Sequence, residues 1–528
     1  MKKRWKLGLL LTLLLLFGMQ MTALAAGETV AINSCYIEGD QVKVMASGKV
    51  AASDDGNYYL FALKTYEAGV GARTDYCAVA PAAEAVAFSA PLQLDTAGSK
   101  LYSRFVVTVL RGGQFVPVST EMYILNPEAV AKASTSSIAE ASGNKKGLFC
   151  GWMDAHYLSD LGAGYVASML NTADAYNGND FAYTYNGKTF YFSGSWVAAT
   201  DALINIYRQQ NVDIVMVIAN GYNAGTADMV YPEALATGKK PHYYAVNVET
   251  QTGEEKLAAF MSFIAERYSG GHNGSIHNYI IGNEVNSSDS WHYAGEVSVE
   301  EFSRRYAKEF RICYNAIKSH NLGANVYICT DQRWMHNDGG SSYGGRPVID
   351  GFAAEITRTG NINWGLSFHP YPVPLTHTKF WTTAPGYASL RLVDHTERTK
   401  MIIPTNMDVV VNYMSKPEFL APSGAVRNLF ISELGFNSAG ADTDEGVQAA
   451  AMVYAYKLIQ ANPYIKGVTI NSAVDSPFEI QQGLSYGLTR VDGSQKPAYA
   501  AFKNMNVLGM EEYLPYYGAS SWAQLGVQ

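Results

Sequence analysis

The chain has 528 residues, 48% of them hydrophobic, and its 39 basic and 47 acidic side chains leave a formal charge of −8. That apolar share excludes disorder as the main state, and the length suits two or more domains. Only 16% of residues are charged while 12% are aromatic, with 36 tyrosines, a composition suited to stacking on and hydrogen-bonding neutral ligands and ill suited to nucleic acid.

Lys2, Lys3, Arg4 and Lys6 precede an apolar run from Leu7 to Phe17, and Ala23-Leu24-Ala25 supplies small residues for cleavage. The pattern predicts a signal peptide over residues 1–25 and a secreted, extracellular protein. The run is short for a stable span, so no membrane anchor is expected after cleavage. Cleavage removes those four cations and no anion, which disfavours polyanionic substrates such as uronans.

Residues 27–126 read as a small all-β sandwich. Short alternating segments at Val30–Tyr36, Gln41–Ser47, Tyr58–Leu63, Val86–Ala90, Phe105–Leu110 and Phe115–Val118 are separated by turn residues such as Gly39-Asp40 and Gly112-Gly113. No aromatic platform stands out there, so this domain is expected to pack against the rest of the chain rather than to bind glycan. The five cysteines, Cys35, Cys77, Cys150, Cys313 and Cys329, include no CxxC pair, which gives neither a zinc pattern nor a dense disulfide framework. A Cys35–Cys77 bridge and five buried thiols are both open readings. Residues 127–146, rich in Ala and Ser, read as a linker or a loosely packed connector.

Residues 147–510 alternate between strand and helix. Strand-like runs fall at Gly147–Trp152, Tyr165–Leu170, Asp213–Ala219, Asn278–Gly282, Asn325–Thr330, Trp364–His369, Asn428–Ser432 and Gly467–Asn471. Helical patterns lie at Gly253–Tyr268, Ser298–Ser319, Thr443–Gln460 and Pro497–Met505. Eight such units predict an α/β fold, a (β/α)8 TIM barrel preceded by the β-sandwich and followed by a tail over 511–528. An open doubly wound sheet would want a Gly-rich phosphate loop after its first strand, and Gly151-Trp152-Met153-Asp154 is not one.

Barrel active sites sit where the strands end. Asn283-Glu284 follows the fourth run and Glu433 the seventh. Two facing carboxylates are what glycosidic cleavage needs, one to protonate the leaving oxygen and one to attack the anomeric carbon or activate water. Asn283 places an amide beside Glu284 for a sugar hydroxyl. His369-Pro370-Tyr371 ends the sixth run, and Tyr371 is placed to donate to Glu433 and hold it ionised. Trp152, Asn220, Tyr222, Trp291, Trp334 and Asp475 also follow strands and are candidate substrate contacts.

These motifs resemble the clan A superfamily of retaining glycoside hydrolases, whose members share a (β/α)8 barrel with Asn-Glu ending strand four and Glu ending strand seven. The resemblance covers roughly residues 147–506. It extends to Ser432-Glu433-Leu434-Gly435, Gln448-Ala449, Tyr486-Gly487-Leu488, Asp492-Gly493 and Lys496-Pro497-Ala498. It implies a secreted retaining glycosidase with Glu284 as acid/base, Glu433 as nucleophile and Asn283 as ligand of the sugar 2-hydroxyl, acting on a neutral oligo- or polysaccharide. The chain departs from the pattern in lacking an Arg in Tyr165–Leu170 and a Trp at the end of strand eight, where Asn471-Ser472-Ala473-Val474-Asp475 stands. Those departures motivate the alternative of a non-catalytic carbohydrate-binding protein on a decayed barrel.

Gly483-Leu484-Ser485-Tyr486-Gly487 matches the G-x-S-x-G elbow of serine hydrolases but lacks the strand before and helix after that the motif requires. His272 and His277, five apart in a Gly/Asn loop, do not have ligand spacing. No metal and no cofactor is expected, and the oligomeric state is open.

Overall fold

The computed structural model describes residues 29–527 apart from positions 338, 442 and 508. The predicted signal peptide, 1–25, lies outside the described residues.

The N-terminal region holds two antiparallel sheets. Strands β1 (Val30–Glu38), β2 (Gln41–Gly48) and β5 (Ala85–Pro91) form one; β4 (Ala78–Pro81), β3 (Asn57–Leu63), β6 (Arg104–Arg111) and β7 (Gln114–Pro117) form the other, with β8 (Met122–Tyr123) paired to β6. Alternation sets the faces: in β5 Val86, Phe88 and Ala90 are buried between exposed neighbours. Val86 and Phe88 share a core with Val42, Val44, Leu60, Phe105 and Val107 of both sheets. All five cysteines are free thiols.

The eight expected barrel runs all form parallel strands: β9 (Lys146–Phe149), β10 (Tyr165–Asn171), β13 (Asp213–Ala219), β14 (Asn278–Ile281), β15 (Asn325–Thr330), β16 (Gly365–Phe368), β17 (Leu429–Leu434) and β18 (Ile465–Asn471). They close in sequence order, with β18 paired to β9. Inside, the rings of Tyr165, Tyr327 and Phe430 pack with Val215, Val217 and Ile280. Those rings fit because neighbouring strands place glycine opposite them. A Cβ at Gly365 would fall 2.4 Å from the Tyr327 ring, and one at Gly467 would meet Tyr165 at 2.6 Å and Phe430 at 2.7 Å.

The main outer helices are α1 (Gly194–Gln209), α2 (Gln251–Arg267), α3 (Val299–His320), α4 (Gly345–Arg358), α5 (Asp408–Met414), α6 (Glu445–Ala461) and α7 (Pro497–Asn504). Ser193, Thr250, Ser298 and Asp444 cap α1, α2, α3 and α6, each side chain accepting a first-turn backbone N–H. A hairpin that no expectation included, β11 (Phe181–Tyr185) with β12 (Lys188–Phe192), packs its aromatic side chains on Phe263 of α2.

Segment 127–146 is not a free linker. Buried Asp213, which opens β13, accepts from the backbone N–H of Ile138 and Ala139, and Ala139 packs under the barrel interior. The segment thus plugs the N-terminal mouth of the barrel. The tail is also docked: Tyr517 donates to the Ala450 carbonyl and Tyr454 to that of Leu525. The β-domain lies against the flank made by α2, α3 and the C-terminal end of α4, through Asn315 Nδ2 to Leu101 O (2.9 Å), Tyr123 N to Thr359 O (2.9 Å) and Tyr66 N to Glu254 Oε2 (3.3 Å). Among the described residues no helix is long and apolar enough to cross a membrane.

Candidate active site

Glu284 stands two residues beyond Gly282, which follows β14. It takes a positive φ of +40°, sparsely populated for a residue with a side chain and of a kind that clusters at functional sites. Flanking hydrogen bonds hold it there: Val285 N donates to Cys329 O at 2.9 Å, and Ser287 N to Glu284 O at 2.7 Å. Glu433 lies within β17, one residue past Ser432, whose side chain faces the interior. Strict alternation would turn Glu433 outward. The pairing of β17 with β18 is irregular between Ile431 and Leu434, and such irregularities re-aim side chains next to active sites.

The carboxyl groups converge on one imidazole. His369 Nδ1 lies 2.8 Å from Oε1 of Glu284 and 3.9 Å from Oε2 of Glu433. Those two oxygens are therefore no further apart than the two legs together. That bound accommodates the ~5–5.5 Å of a retaining pair and meets only the short end of the ~6.5–9.5 Å range of an inverting one. Tyr371 OH donates to Oε1 of Glu433 at 2.6 Å, and Asn471 Nδ2 donates to the Tyr371 oxygen at 3.3 Å.

Electrostatics separate the roles. Burial raises the Glu284 carboxyl above its ordinary value, against the opposing pull of the His369 hydrogen bond; the charges of Asp331 and Glu433 raise it further. His369 is 1% exposed. Burial works against its charged form, but Cys329 and Glu433, with hydrogen bonds to Cys329 and Glu284, hold it well above the usual imidazole range. Burial, then Glu433, pushes the Tyr371 phenol up, so it stays a donor. An acid whose proton is favoured by burial, a second carboxyl group served by a phenol and an imidazole between them can transfer a proton and attack a carbon on opposite sides of one bond.

Glu284, Glu433, His369 and Tyr371 are thus in direct contact, and Asn283, buried, adjoins them. Trp152 and Tyr222 follow β9 and β13 with rings 62% and 50% exposed, open to a ligand face. Trp291 stacks on His242 with centroids 4.5 Å apart and rings 17° from parallel. Asn220 is buried and accepts from Thr172 Oγ1 at 2.6 Å, while its Nδ2 has no partner among the described residues.

Two candidates are corrected. Trp334 is 2% exposed, donates Nε1–H to the Glu397 carbonyl and packs edge-on against Tyr413, so it offers no face to a sugar. Asp475 is buried in an ion pair with Lys496 at 2.8 Å and accepts the Gly487 N–H; its oxygens are committed to the fold.

The other motifs resolve structurally. Ser485 lies in a loop, with its Oγ 2.9 Å from the Lys496 ammonium and 3.1 Å from Ser438 Oγ. Because Asp475 keeps that lysine paired, no base serves the hydroxyl. His277 faces Asp213 at 3.4 Å, at the opposite end of the barrel. Among the described residues no group of His, Cys, Asp and Glu could hold a metal.

Sequence reading missed Glu479, Ser432 and Cys329. Glu479, half-buried, receives Asn471 Nδ2 at 3.4 Å and is raised by burial first and by Glu433 and Asp475 after it. It is a third carboxylate at the mouth, and only its position after strand eight could have signalled it.

Among solved structures, the chain is similar to a family 39 glycoside hydrolase from Bacteroides cellulosilyticus WH2 (14% identity, 91% of this chain and 80% of that one covered, TM-score 0.47). It is also similar to an exo-β-1,4-mannosidase from Opitutaceae bacterium strain TAV5 (14%, 68% and 58%, TM-score 0.41) and to GH5_18 from Streptomyces cattleya in complex with GlcNAc (14%, 67% and 73%, TM-score 0.43). No curated protein matches. A profile described as "Family of unknown function (DUF5722)" matches residues 138–525.

Proposed function

The chain belongs to DUF5722, a family of unknown function, and on that footing we propose that it is a secreted retaining glycoside hydrolase acting on a neutral oligo- or polysaccharide. The observation that carries this reading is the pair of strand-end carboxyl groups, Glu284 and Glu433, meeting at His369.

In the first step Glu433 attacks the anomeric carbon and forms a C–O bond to it. The glycosidic C–O bond breaks, and its oxygen takes the proton of Glu284. In the second, Glu284, now a carboxylate, takes a proton from water. The water oxygen bonds the anomeric carbon, and Glu433 leaves as a carboxylate. Asn283 holds the sugar 2-hydroxyl. Tyr371 orients the nucleophile and restrains its charge until attack. The low share of charged residues and the acidic excess of the chain support a neutral substrate. Export rests on the pattern of residues 1–25.

The test is a panel of polysaccharides and 4-nitrophenyl glycosides with product analysis, repeated with Glu433→Ala in azide. The expected result is hydrolysis abolished by Glu284→Gln, and an azide-rescued Glu433→Ala that yields a glycosyl azide of inverted configuration. Unchanged activity in Glu433→Ala would remove the nucleophile assignment. Glycan binding without turnover of any bound sugar would favour the non-catalytic alternative.

A further inference from the structure

Behind the two glutamates the top of the barrel interior is polar as well as buried. Ser432 Oγ lies 2.9 Å from Nε2 of His369 and 2.7 Å from Ser367 Oγ. Cys329 Sγ lies 3.3 Å from the same Nε2. All four side chains are buried, and they come from β15, β16, β17 and the end of β16. Thr469 of β18 binds the Ser432 carbonyl from the remaining side.

Ser367 Oγ accepts the Ser432 N–H at 3.3 Å, and across the 2.7 Å contact between the two hydroxyls either can donate. If Ser367 Oγ also accepts the Ser432 O–H, a lone pair of Ser432 is left facing the ring. A thiol is a weak acceptor, so Ser432 is the strong partner at that nitrogen.

We propose that Ser432 is a positioning residue whose hydroxyl, turned by Ser367, accepts the Nε2 proton of His369 and keeps that ring a double donor, to Glu284 through Nδ1 and to Ser432 through Nε2. The role rests on the glycosidase reading for its effect on turnover, though not for its effect on the ring. The groups facing His369 and its partners are Glu284 after β14, Cys329 on β15, Asp331 after it with Arg333 engaged, Tyr371 after β16, and Glu433 on β17.

The consequence has a sign. Without the Ser432 hydroxyl only the weakly accepting Cys329 sulfur faces Nε2, too little for the buried ring to keep both protons. Glu284 then loses a charged donor that favoured its carboxylate, and it retains its acid proton to higher pH. The alkaline limb of the profile, set by the Glu284 acid, therefore moves upward, whereas simple loosening of the site would lower the rate at every pH.

The experiment uses the full chain as wild type, Ser432→Ala, Ser432→Thr and Ser367→Ala. One readout is the pH profile of kcat/KM on the 4-nitrophenyl glycoside that the wild type cleaves. Ser432→Ala should raise the alkaline limb by about one pH unit, a tenfold change in protonation ratio. Ser432→Thr, which keeps the hydroxyl, should restore it, and Ser367→Ala should move it less. The second readout needs no activity: 15N-histidine spectra, with His369→Asn for assignment, should show the ring doubly protonated at neutral pH in the wild type and singly protonated in Ser432→Ala. Should Ser432→Ala not fold, Ser367→Ala carries both readouts. An unchanged His369 spectrum in a folded variant overturns the proposal, whatever the activity. A wild type that cleaves nothing overturns the glycosidase reading and leaves the ring assignment to the spectra.

Discussion

Asp475→Ala should destabilise the barrel and leave sugar affinity alone. Its carboxylate lies 2.8 Å from Nζ of Lys496, whose side chain is 0% exposed, and it also accepts the Gly487 N–H at 2.8 Å. The ammonium has two further acceptors, Ser438 Oγ at 3.1 Å and Ser485 Oγ at 2.9 Å. Removing one partner of a buried pair typically costs about 3–5 kcal/mol, because the other charge is left without compensation. The two hydroxyls partly solvate the ammonium, which places this case near the lower end, at about 3 kcal/mol. Asp475→Ala/Lys496→Met leaves no buried charge and should cost less than Asp475→Ala alone. Urea unfolding followed by far-UV circular dichroism gives the midpoints at unchanged slope. A loss below about 1 kcal/mol in the single variant, or a double variant costing the sum of both singles, would refute the reasoning. Weakened sugar binding at full stability would return Asp475 to the substrate contacts.

Tyr371→Phe removes a charge-assisted hydrogen bond of about 1.5–3 kcal/mol, so kcat should fall roughly ten- to a hundredfold with little change in KM, as steady-state kinetics would show. Glu254, 5% exposed at the junction of the β-domain and α2, is pushed by burial up to about 7 from an ordinary 4.5. The folded chain then holds a proton that the unfolded chain releases, so stability is greatest below pH 4.5 and is lost as pH rises through 7. The amplitude is on the order of 3 kcal/mol, and urea midpoints at acid and mildly alkaline pH should show a wild-type fall that Glu254→Gln lacks. Trp334→Ala should cost about 3–5 kcal/mol as a core truncation without raising KM, whereas Trp152→Ala should leave the urea midpoint unchanged and raise KM if its exposed ring meets the sugar.

The barrel was legible because its signals are local. Each strand is a short apolar run, each helix a periodic one, and the caps Ser298 and Asp444 precede their helices by one residue. Glu284 and Glu433 were legible for the same reason: a carboxylate at the end of a buried strand has no partner in its own segment. Segment 127–146 misled because Ala and Ser carry little periodicity, while its anchor, Asp213, lies far along the chain. Trp152 and Trp334 occupy like positions after strands, yet one ring is exposed. The other is covered by a loop whose carbonyls at Glu397 and Lys400 bind its side chain and backbone.

Strand order, helix order and the two strand-end glutamates therefore follow from periodicity and chain neighbours, which act over a few residues. What surrounds each charge does not. Asp475 meets a lysine 21 residues on, and Ser432 meets a histidine 63 residues away. The irregular step in β17 and the Ser432–His369 contact arise only when eight strands close on one another. Barrel closure decides which carboxyl group is desolvated, which is neutralised by an ion pair and which is left facing a substrate, because desolvation and Coulomb energies depend on distance in space and not along the chain.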